Sequence, residues 1–456
     1  MSASLAFLAA WLAVPLLGAG AAFHPSLRGD GVLARAAASL ALGTVSLTLT
    51  GLLWTLLGVS WSLPALAAPP IAASLVLGIA WSRLEAPAPH AAPAASRRVA
   101  AASIVVCGAA LLLLGWSLAT SAATSIDYLL FWGVKAARFA EARAYNPDLL
   151  HFRYFLHGVP DYPPAVPIVQ AWGAIAAGKM PWRFVPVTSL LWLAASIPLL
   201  SALLRRRLGA DGASGVTAFW TAALAASLAF SLSGGNAEAP LLFFETGAVA
   251  ALLVERDGTE SRFLPGLMLA GAVLTKVEGC VALAALTAGA AARDALERRP
   301  RVATRTVALA APGVAALGAW FFFQWREGLP VGYRPHGPLL GFRLDYLSTI
   351  VPAGVRNLQG GTYGLAWAVP LVLILAARPS IRRALPALAL VAGLLGFLVF
   401  DYMHDARDPG LRISWTAPRV SQPALSACIL AAGLASLEAA RRRDAAAVTV
   451  AAPPKP

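Results

Sequence analysis

The chain has 456 residues, of which 58% are hydrophobic and 13% are charged, and its formal net charge is +14. A soluble globular protein has about a quarter of its residues charged, so the composition excludes that class. The positive charge does not indicate a nucleic-acid partner, because the Arg residues fall mainly in short clusters between apolar runs, as in the cytoplasmic loops of membrane proteins.

Apolar runs of about 17 to 24 residues recur along the whole chain, and each is long enough to cross roughly 30 Å of hydrocarbon as a helix. The sequence therefore predicts an all-α fold: a polytopic helical membrane protein of about 13 transmembrane helices with an exterior juxtamembrane helical loop. We divide it into N-terminal transmembrane helices and a linker (1–100), a catalytic transmembrane module (101–325), an exterior loop with C-terminal transmembrane helices (326–440) and a cytoplasmic tail (441–456), which we expect to be disordered.

Clusters of Arg set the expected orientation of these runs. Arg28 and Arg35 lie between the first two runs, and Arg83, Arg97 and Arg98 follow the third. Cytoplasmic loops carry an excess of such residues, so both loops are placed inside and the fourth run leads outward. The motif that follows the fourth run is then predicted to face the exterior.

This motif, SIDYLLFWGVKAARF at residues 125–139, places a carboxylate where the chain leaves the fourth run. In a helix that begins near Asp127, Lys135 and Arg138 share its face, so these three side chains are expected to line up. The alternative is a carboxylate that only stabilises the N-terminus of a helix. The aromatic residues of this helix are expected to rest against lipid headgroups: Tyr128, Trp132 and Phe139.

Two more carboxylates lie at the ends of apolar runs on the same predicted face. Glu238 follows SGGN at the start of a run, and Glu278 lies in LTKVEG together with Lys276. An ionisable group next to hydrocarbon costs several kcal/mol unless it is paired or solvated, so such groups are candidates for function. Alternatively, Glu238 is only a helix N-terminal charge, and Lys276 with Glu278 is only a structural ion pair.

The segment DYPPAVP begins a short apolar run with two prolines. Proline suits the first turn of a helix and forces the preceding Tyr162 into an extended conformation. Residues 163–178 are too few for a full crossing, so we expect an interfacial or re-entrant helix there.

Cations on the predicted exterior loops form the remaining candidates. Arg334 and His336 lie in WREGLPVGYRPHG, Arg356 in GVRNLQGG and Arg407 in DYMHDARDPGLR. Cations beside lipid are what an anionic headgroup or a pyrophosphate requires, whereas the alternative is a solvated loop.

Four motifs follow one another in the chain: SIDYLLFWGVKAARF, DYPPAVP, GGNAEAPLLFF and AGAVLTKVEG. In this order they resemble the polyprenyl-phosphate-sugar-dependent glycosyltransferases of the GT-C superfamily, such as the protein O-mannosyl, aminoarabinose and rhizobial lipopolysaccharide sugar transferases. The resemblance covers roughly residues 101–300. The chain departs from the family pattern in having three runs before the first motif, where the family usually has one, and Glu238 where relatives commonly have Asp.

This resemblance implies a membrane glycosyltransferase that moves a sugar from a polyprenyl-phosphate donor to a cell-envelope acceptor (lipid, glycan or protein) on the exterior face, with inversion. Asp127 is then the catalytic base, while Lys276 with Arg334, Arg356 or Arg407 holds the phosphate and Glu238 orients the acceptor or a divalent ion. No cofactor is required by the sequence, and a divalent cation is compatible with it. The substrate-binding candidates are Lys135, Arg138, Tyr162, Glu238, Lys276, Glu278, Arg334, His336, Arg356 and Arg407.

The expected partners are the sugar donor, the acceptor and membrane lipid, and no nucleic acid. A high content of Ala, Gly and Arg is typical of GC-rich bacterial genomes, which favours a multi-pass protein of a bacterial inner (plasma) membrane with its active face toward the periplasm or cell exterior. Two alternatives stay open. A lipid or anion transporter or flippase would need ionisable residues within several spans, and a structural or assembly protein would not depend on these side chains.

Overall fold

The computed structural model describes residues 2–84, 96–121, 127–146, 162–228, 234–255, 261–329, 331, 343–359, 361–377, 381–404 and 408–451. Within these ranges the chain forms helices and no strands, so the all-α prediction is confirmed for them. The α-helices are α1 (Ala3–Leu17), α2 (Val32–Leu56), α3 (Leu63–Ser82), α4 (Arg97–Ser121), α5 (Gly133–Ala142), α6 (Ala165–Ala177), α7 (Thr188–Leu228), α8 (Glu238–Val254), α9 (Phe263–Thr275), α10 (Glu278–Leu296), α11 (Val302–Arg326), α12 (Leu347–Gln359), α13 (Gly361–Ala377), α14 (Ile381–His404), α15 (Pro409–Val420) and α16 (Gln422–Ala451).

Helices long and apolar enough to cross a membrane number eight in the described residues, which is the architecture of a multi-pass membrane protein. The finer prediction of about 13 crossings is not confirmed. The reason lies in helix length: α8 has 17 residues and α9 has 13, although both are almost wholly apolar. The eight long segments lie in α2, α3, α4, α7, α10, α11, α14 and α16.

Helix α7 consists of two arms that meet at Gly209. This residue has a φ of 72° and a ψ of 179°, a conformation that glycine adopts without a steric penalty. The bend directly follows Arg205, Arg206 and Arg207. The three Arg residues therefore stand where the chain turns, and the arms on either side are separate apolar segments.

The helices α8, α9 and α10 are joined by short connections and run in alternating directions. Glu238 is the first residue of α8, Lys276 directly follows α9, and Glu278 is the first residue of α10. The Lys276 Nζ lies 3.5 Å from Oε1 of Glu238, so these three helix ends meet. At a rise of 1.5 Å per residue, the two ends of the 17-residue α8 are about 25 Å apart.

The opposite ends of the same helices carry a buried network of Arg and acidic side chains, which we call the Arg/acid network (Glu255, Arg262, Arg293, Asp294 and Arg305). Arg262 Nη2 lies 2.9 Å from Glu255 and 2.7 Å from Asp294, and Arg305 and Arg293 contact both acids. The five side chains are at most 10% exposed. Charges buried this deeply require opposite partners, so the network fixes the ends of α8, α9, α10 and α11 relative to one another.

The N-terminal helices share one continuous apolar core with the helices of residues 101–325. Gly43 of α2 approaches α1 so closely that a Cβ there would lie 2.1 Å from the carbonyl oxygen of Val14. Helix α6 is buried from Ala165 to Ile175, and Trp172 donates a hydrogen bond to the carbonyl of Ala10 at 2.7 Å. The predicted linker between the first two parts of the chain therefore does not separate two independent cores.

Two short amphipathic helices, α12 and α15, pack against each other near the end of α14. Ile350 of α12 and Ile413 of α15 are buried against Tyr402 of α14. Val351 on the other side of α12 remains 55% exposed. This pair places Arg419 in the last turn of α15.

The tail expected to be disordered from residue 441 is helical instead. Helix α16 continues to Ala451, and residues 452–456 lie outside the described part. The segment that follows Ala440 reads RRRDAAAVTV, and Ala and Arg are among the strongest helix formers. Helix propensity therefore extends the apolar helix beyond the predicted boundary.

Candidate functional site

Five charged side chains, drawn from segments far apart in the chain, form a continuous series of ion pairs. We call it the edge cluster. The guanidinium of Arg419 contacts the carboxylate of Asp127 and also lies 3.4 Å from Oε1 of Glu238. Lys276 Nζ in turn lies 3.5 Å from Oε1 of Glu238 and 2.7 Å from Oε1 of Glu278. Four of these residues are site candidates predicted from the sequence, Asp127, Glu238, Lys276 and Glu278, and the fold brings them together.

Each member of the edge cluster stands at a helix end, where a charge is least costly in an apolar bundle. Asp127 precedes a π-helical turn, Tyr128–Trp132, and Glu238 and Glu278 are the first residues of α8 and α10. Carboxylates at helix N-termini are favoured by the helix dipole. Lys276 adopts an extended conformation (φ −159°, ψ 160°) that ends α9 and turns its side chain toward both acids.

Exposure falls steadily along the series from Asp127 to Glu278. The Asp127 side chain is 45% exposed, that of Arg419 is 21% exposed and that of Glu278 is 7% exposed. The cluster therefore begins at the surface and leads into the bundle. Of its three carboxylates, Asp127 is the one that a molecule arriving from outside would meet first.

The cations of the cluster are stabilised in their charged form. Burial opposes the charge of Arg419, but the carboxylates of Glu238 and Asp127 outweigh it and raise the pKa of the guanidinium. Burial likewise opposes the charge of Lys276, and the carboxylates of Glu278 and Glu238 more than compensate, so its pKa is raised above 10.5. Three carboxylates against two cations leave the cluster with a formal charge of −1.

The glycine turn before Glu238 is held by two other parts of the site. The carbonyl of Gly235 accepts a hydrogen bond from Gln170 Nε2 at 2.8 Å, and its N–H donates to Ser189 Oγ at 3.0 Å. Gly235 has a φ of 80°, and a Cβ there would lie 2.4 Å from the ring of Tyr128. The helix that follows the proline-rich segment thus positions Gln170. Gln170 holds the glycine turn, and this turn sets Glu238 beside the Asp127 motif.

Tyr162, a predicted substrate-binding residue, lies beside the aromatic residues of the first motif. Its ring packs edge-on against Phe131 at 5.5 Å and Trp132 at 5.8 Å, and it is within electrostatic range of Arg419. These three rings form an aromatic wall beside Asp127. Tyr128 lies deeper and donates a hydrogen bond to the carbonyl of Trp182 at 3.1 Å.

The predicted alignment of the first motif is wrong in its aromatic part. Tyr128, Trp132 and Phe139 are at most 3% exposed, so they cannot rest against lipid headgroups. The π-helical turn shifts the register by one residue, and the apolar face of α5 packs against α6. The aromatic residues belong to the core for this reason.

The two cations of that motif do not extend the edge cluster in the structure. Lys135 is 3% exposed and its Nζ lies over the ring of Phe131, 4.2 Å from the centroid. Arg138 is exposed and pairs with Glu141 at 2.9 Å. Lys135 therefore lies behind the aromatic wall rather than in line with Asp127.

The remaining candidates are less well placed or lie outside the described residues. Arg356 is exposed in α12. Arg334, His336 and Arg407 fall outside the described residues. Arg419 is the cluster residue that was not predicted from the sequence. Its position in the sequence could have indicated it, because Arg419 is a cation in the last turn of an amphipathic segment, directly before an apolar run.

A small cavity is lined by polar side chains such as Gln170 and Thr275 and by apolar ones such as Trp11 and Val169. Its volume of about 10 Å³ corresponds to roughly one water molecule.

The described residues contain no group of three or more His, Cys, Asp or Glu side chains arranged to hold a metal ion. Within the edge cluster, Arg419 and Lys276 separate the three carboxylates.

Comparisons with known proteins give no relative: no protein-family model, no curated protein and no solved structure matches the chain.

Proposed function

We propose that the chain is a membrane glycosyltransferase that moves a sugar from a polyprenyl-phosphate donor to a cell-envelope acceptor, a lipid, glycan or protein. The supporting observation is the convergence of Asp127, Glu238, Lys276 and Glu278 at one end of the bundle. Such a site can contact a lipid phosphate and a water-borne hydroxyl at once. In this proposal the membrane is a bacterial inner membrane and the active face is periplasmic or extracellular.

Asp127 acts as the general base in an inverting single displacement. Its carboxylate takes the proton of the acceptor hydroxyl while the hydroxyl oxygen forms a bond to the anomeric carbon. The bond from that carbon to the phosphate oxygen breaks, and polyprenyl phosphate leaves with the electron pair. Arg419 contacts Asp127 and positions it, and the exposure of Asp127 supports its contact with an acceptor from outside.

Lys276 holds the leaving phosphate, together with cations of the loops that carry Arg334, Arg356 and Arg407. Its ammonium group has three N–H donors, and two carboxylates, Glu238 and Glu278, lie within 3.5 Å of it. One donor is therefore left for a phosphate oxygen. The formal charge of −1 on the cluster means that a phosphate has to be balanced by additional cations from these loops.

The test measures release of polyprenyl phosphate from a panel of labelled polyprenyl-phosphate sugars by the purified protein in lipid nanodiscs. The unsubstituted protein is compared with Asp127→Asn and with Asp345→Asn, a control at an exposed acid that pairs with Arg343. Release that is lost in Asp127→Asn and kept in the control supports both the donor class and the base. A folded protein that releases phosphate from no donor, with plausible acceptors present, overturns the proposal.

Transport of a lipid or an anion is the second candidate, and one observation favours it. Glu245 lies within the apolar helix α8 and is 0% exposed, and ionisable residues at such positions often mark transport pathways. Movement of a labelled lipid between leaflets of reconstituted vesicles, without loss of its sugar, would favour this function. Formation of a new glycosidic bond would exclude it as the principal activity.

A further inference from the structure

The buried carboxyl of Glu245 lies beneath the edge cluster without a hydrogen bond. It follows Glu238 by seven positions in α8, close to two helical turns, so both side chains share one face of the helix. The side chain is 0% exposed, and in the described part of the chain neither Oε1 nor Oε2 has a hydrogen-bond partner. Phe243, Phe244 and Ala248, which are close in α8, are also fully buried.

An ionised carboxylate is not stable in these surroundings. A carboxylate without hydrogen bonds in an apolar interior loses its hydration and gains nothing in return, whereas the neutral acid loses much less. The charges that act on Glu245 in the described structure are those of Glu278 and Lys276, and they have opposite signs. Lys276 is held by Glu278 at 2.7 Å and by Glu238 at 3.5 Å, so it does not serve as a counter-ion for Glu245 alone.

We propose that Glu245 is a proton-binding site inside the bundle, a carboxylic acid that keeps its proton at neutral pH. The ligand of this site is a proton, and the inference does not depend on glycosyl transfer. The charge of Glu278 acts on this carboxyl and links it to the edge cluster. With the proton bound, the cluster and Glu245 together carry a formal charge of −1, and loss of the proton changes this to −2.

Infrared spectroscopy of the full chain in lipid nanodiscs at pH 7 tests this proposal, because a protonated carboxyl has a carbonyl stretching band that a carboxylate lacks. Labelling of all Glu residues with carbon-13 identifies a Glu band in the unsubstituted protein. Glu245→Gln removes the acid and keeps its shape. Glu238→Gln and Glu278→Gln are matched controls, since both acids contact Lys276, whereas Glu245 has no hydrogen-bond partner in the described structure.

The expected result is one protonated Glu band that shifts with the carbon-13 label, is lost in Glu245→Gln and remains in Glu238→Gln. Absence of any protonated Glu band from the unsubstituted protein overturns the proposal without need of a variant. A band that persists in folded Glu245→Gln also overturns it. If Glu245→Gln does not fold, Glu245→Met replaces it, and the same loss of the band is required.

Discussion

The guanidinium of Arg419 contacts the carboxylate of Asp127, although the two residues are 292 positions apart in the chain. The same guanidinium reaches Glu238 through its Nε, which lies 3.4 Å from Oε1. The short helix α15 thus closes a site whose other members come from residues 127–278. A substitution that displaces α15 should therefore affect Asp127 and Glu238, although both are far from α15 along the sequence.

In the proposed mechanism, replacement of Asp127 by Asn removes the base of the acceptor hydroxyl and should lower the rate of sugar transfer by about 10²- to 10⁴-fold. The amide oxygen of Asn can still accept a hydrogen bond from Arg419, so the fold is expected to persist. Single-turnover transfer and circular dichroism measure the two effects. A variant that folds, binds the donor and transfers at the full rate would remove Asp127 from the mechanism.

Replacement of Lys276 by Met should destabilise the protein by about 3–5 kcal/mol, because Glu238 and Glu278 lose their shared cation while buried. The double variant Lys276→Met/Glu278→Gln removes the carboxylate that has lost its cation, whereas Glu238 keeps its contact with Arg419, and it should recover part of this loss. Chemical unfolding in detergent measures both. If the change in the free energy of unfolding of the double variant equals the sum of the changes for its two single substitutions, the coupling that the ion pairs predict is contradicted.

Replacement of Glu255 by Gln should cost about 3–5 kcal/mol of unfolding free energy, because Arg262, Arg293 and Arg305 share this acid in the Arg/acid network. Glu297→Gln is the matched control. Glu297 is 21% exposed and pairs with Arg299 at 2.6 Å, so its loss should cost less than about 1 kcal/mol. Equal costs for the two variants would show that the network does not act as a buried unit.

Replacement of Gly43 by Ala should destabilise the crossing of α1 and α2 by about 1–3 kcal/mol, since the new Cβ meets the backbone of Val14. Gly318→Ala in α11 is the control, because nothing lies within 4 Å of a Cβ there. That variant should stabilise the protein by about 0.5–1 kcal/mol, the usual preference of a helix for Ala over Gly. Melting temperatures that move in the same direction would contradict this account.

Acid should destabilise the protein through His24. Burial, together with the charges of Arg206 and Arg28, lowers the pKa of His24 from 6.5 to about 4. The unfolded chain keeps the ordinary value and binds the proton first as the pH falls, so stability is lost between pH 6.5 and pH 4. We expect a loss of about 2 kcal/mol from pH 8 to pH 5, measured by chemical unfolding.

His24→Asn is the companion variant for this measurement. The His24 ring stacks on Phe263 at 4.6 Å, and its Nδ1 lies 2.7 Å from Ser26 Oγ. The variant should be less stable at pH 8 because these contacts are lost. Its stability should change less between pH 8 and pH 5, and an unchanged pH dependence would assign the acid effect to other groups.

The sequence was sufficient for the helical class and for four members of the edge cluster, because charges at the ends of apolar runs are costly and therefore conspicuous. It was not sufficient for Arg419 or for the burial of Lys135. The partners of Arg419 are set by the docking of α15, and Lys135 is buried because a π-helical turn alters the register of its helix. Both depend on tertiary packing and not on local pattern.

The number of crossings is not confirmed for a related reason. Hydropathy measures the apolar length of a segment, but α8 and α9 end early at charged residues that find partners inside the protein. Glu245 went unnoticed because a single acid hardly changes the mean hydropathy of α8. Only its burial and its lack of hydrogen bonds in the described structure distinguish it.

The unequal lengths of the helices give the bundle an indented surface. Helices α2, α4 and α11 have 25 residues and extend about 37 Å, whereas α8 extends about 25 Å. At a common tilt, the ends of the short helices cannot be level with those of the long ones at both faces. Almost every residue of α8 is buried, so the longer helices, and not α8, present their sides to the bilayer.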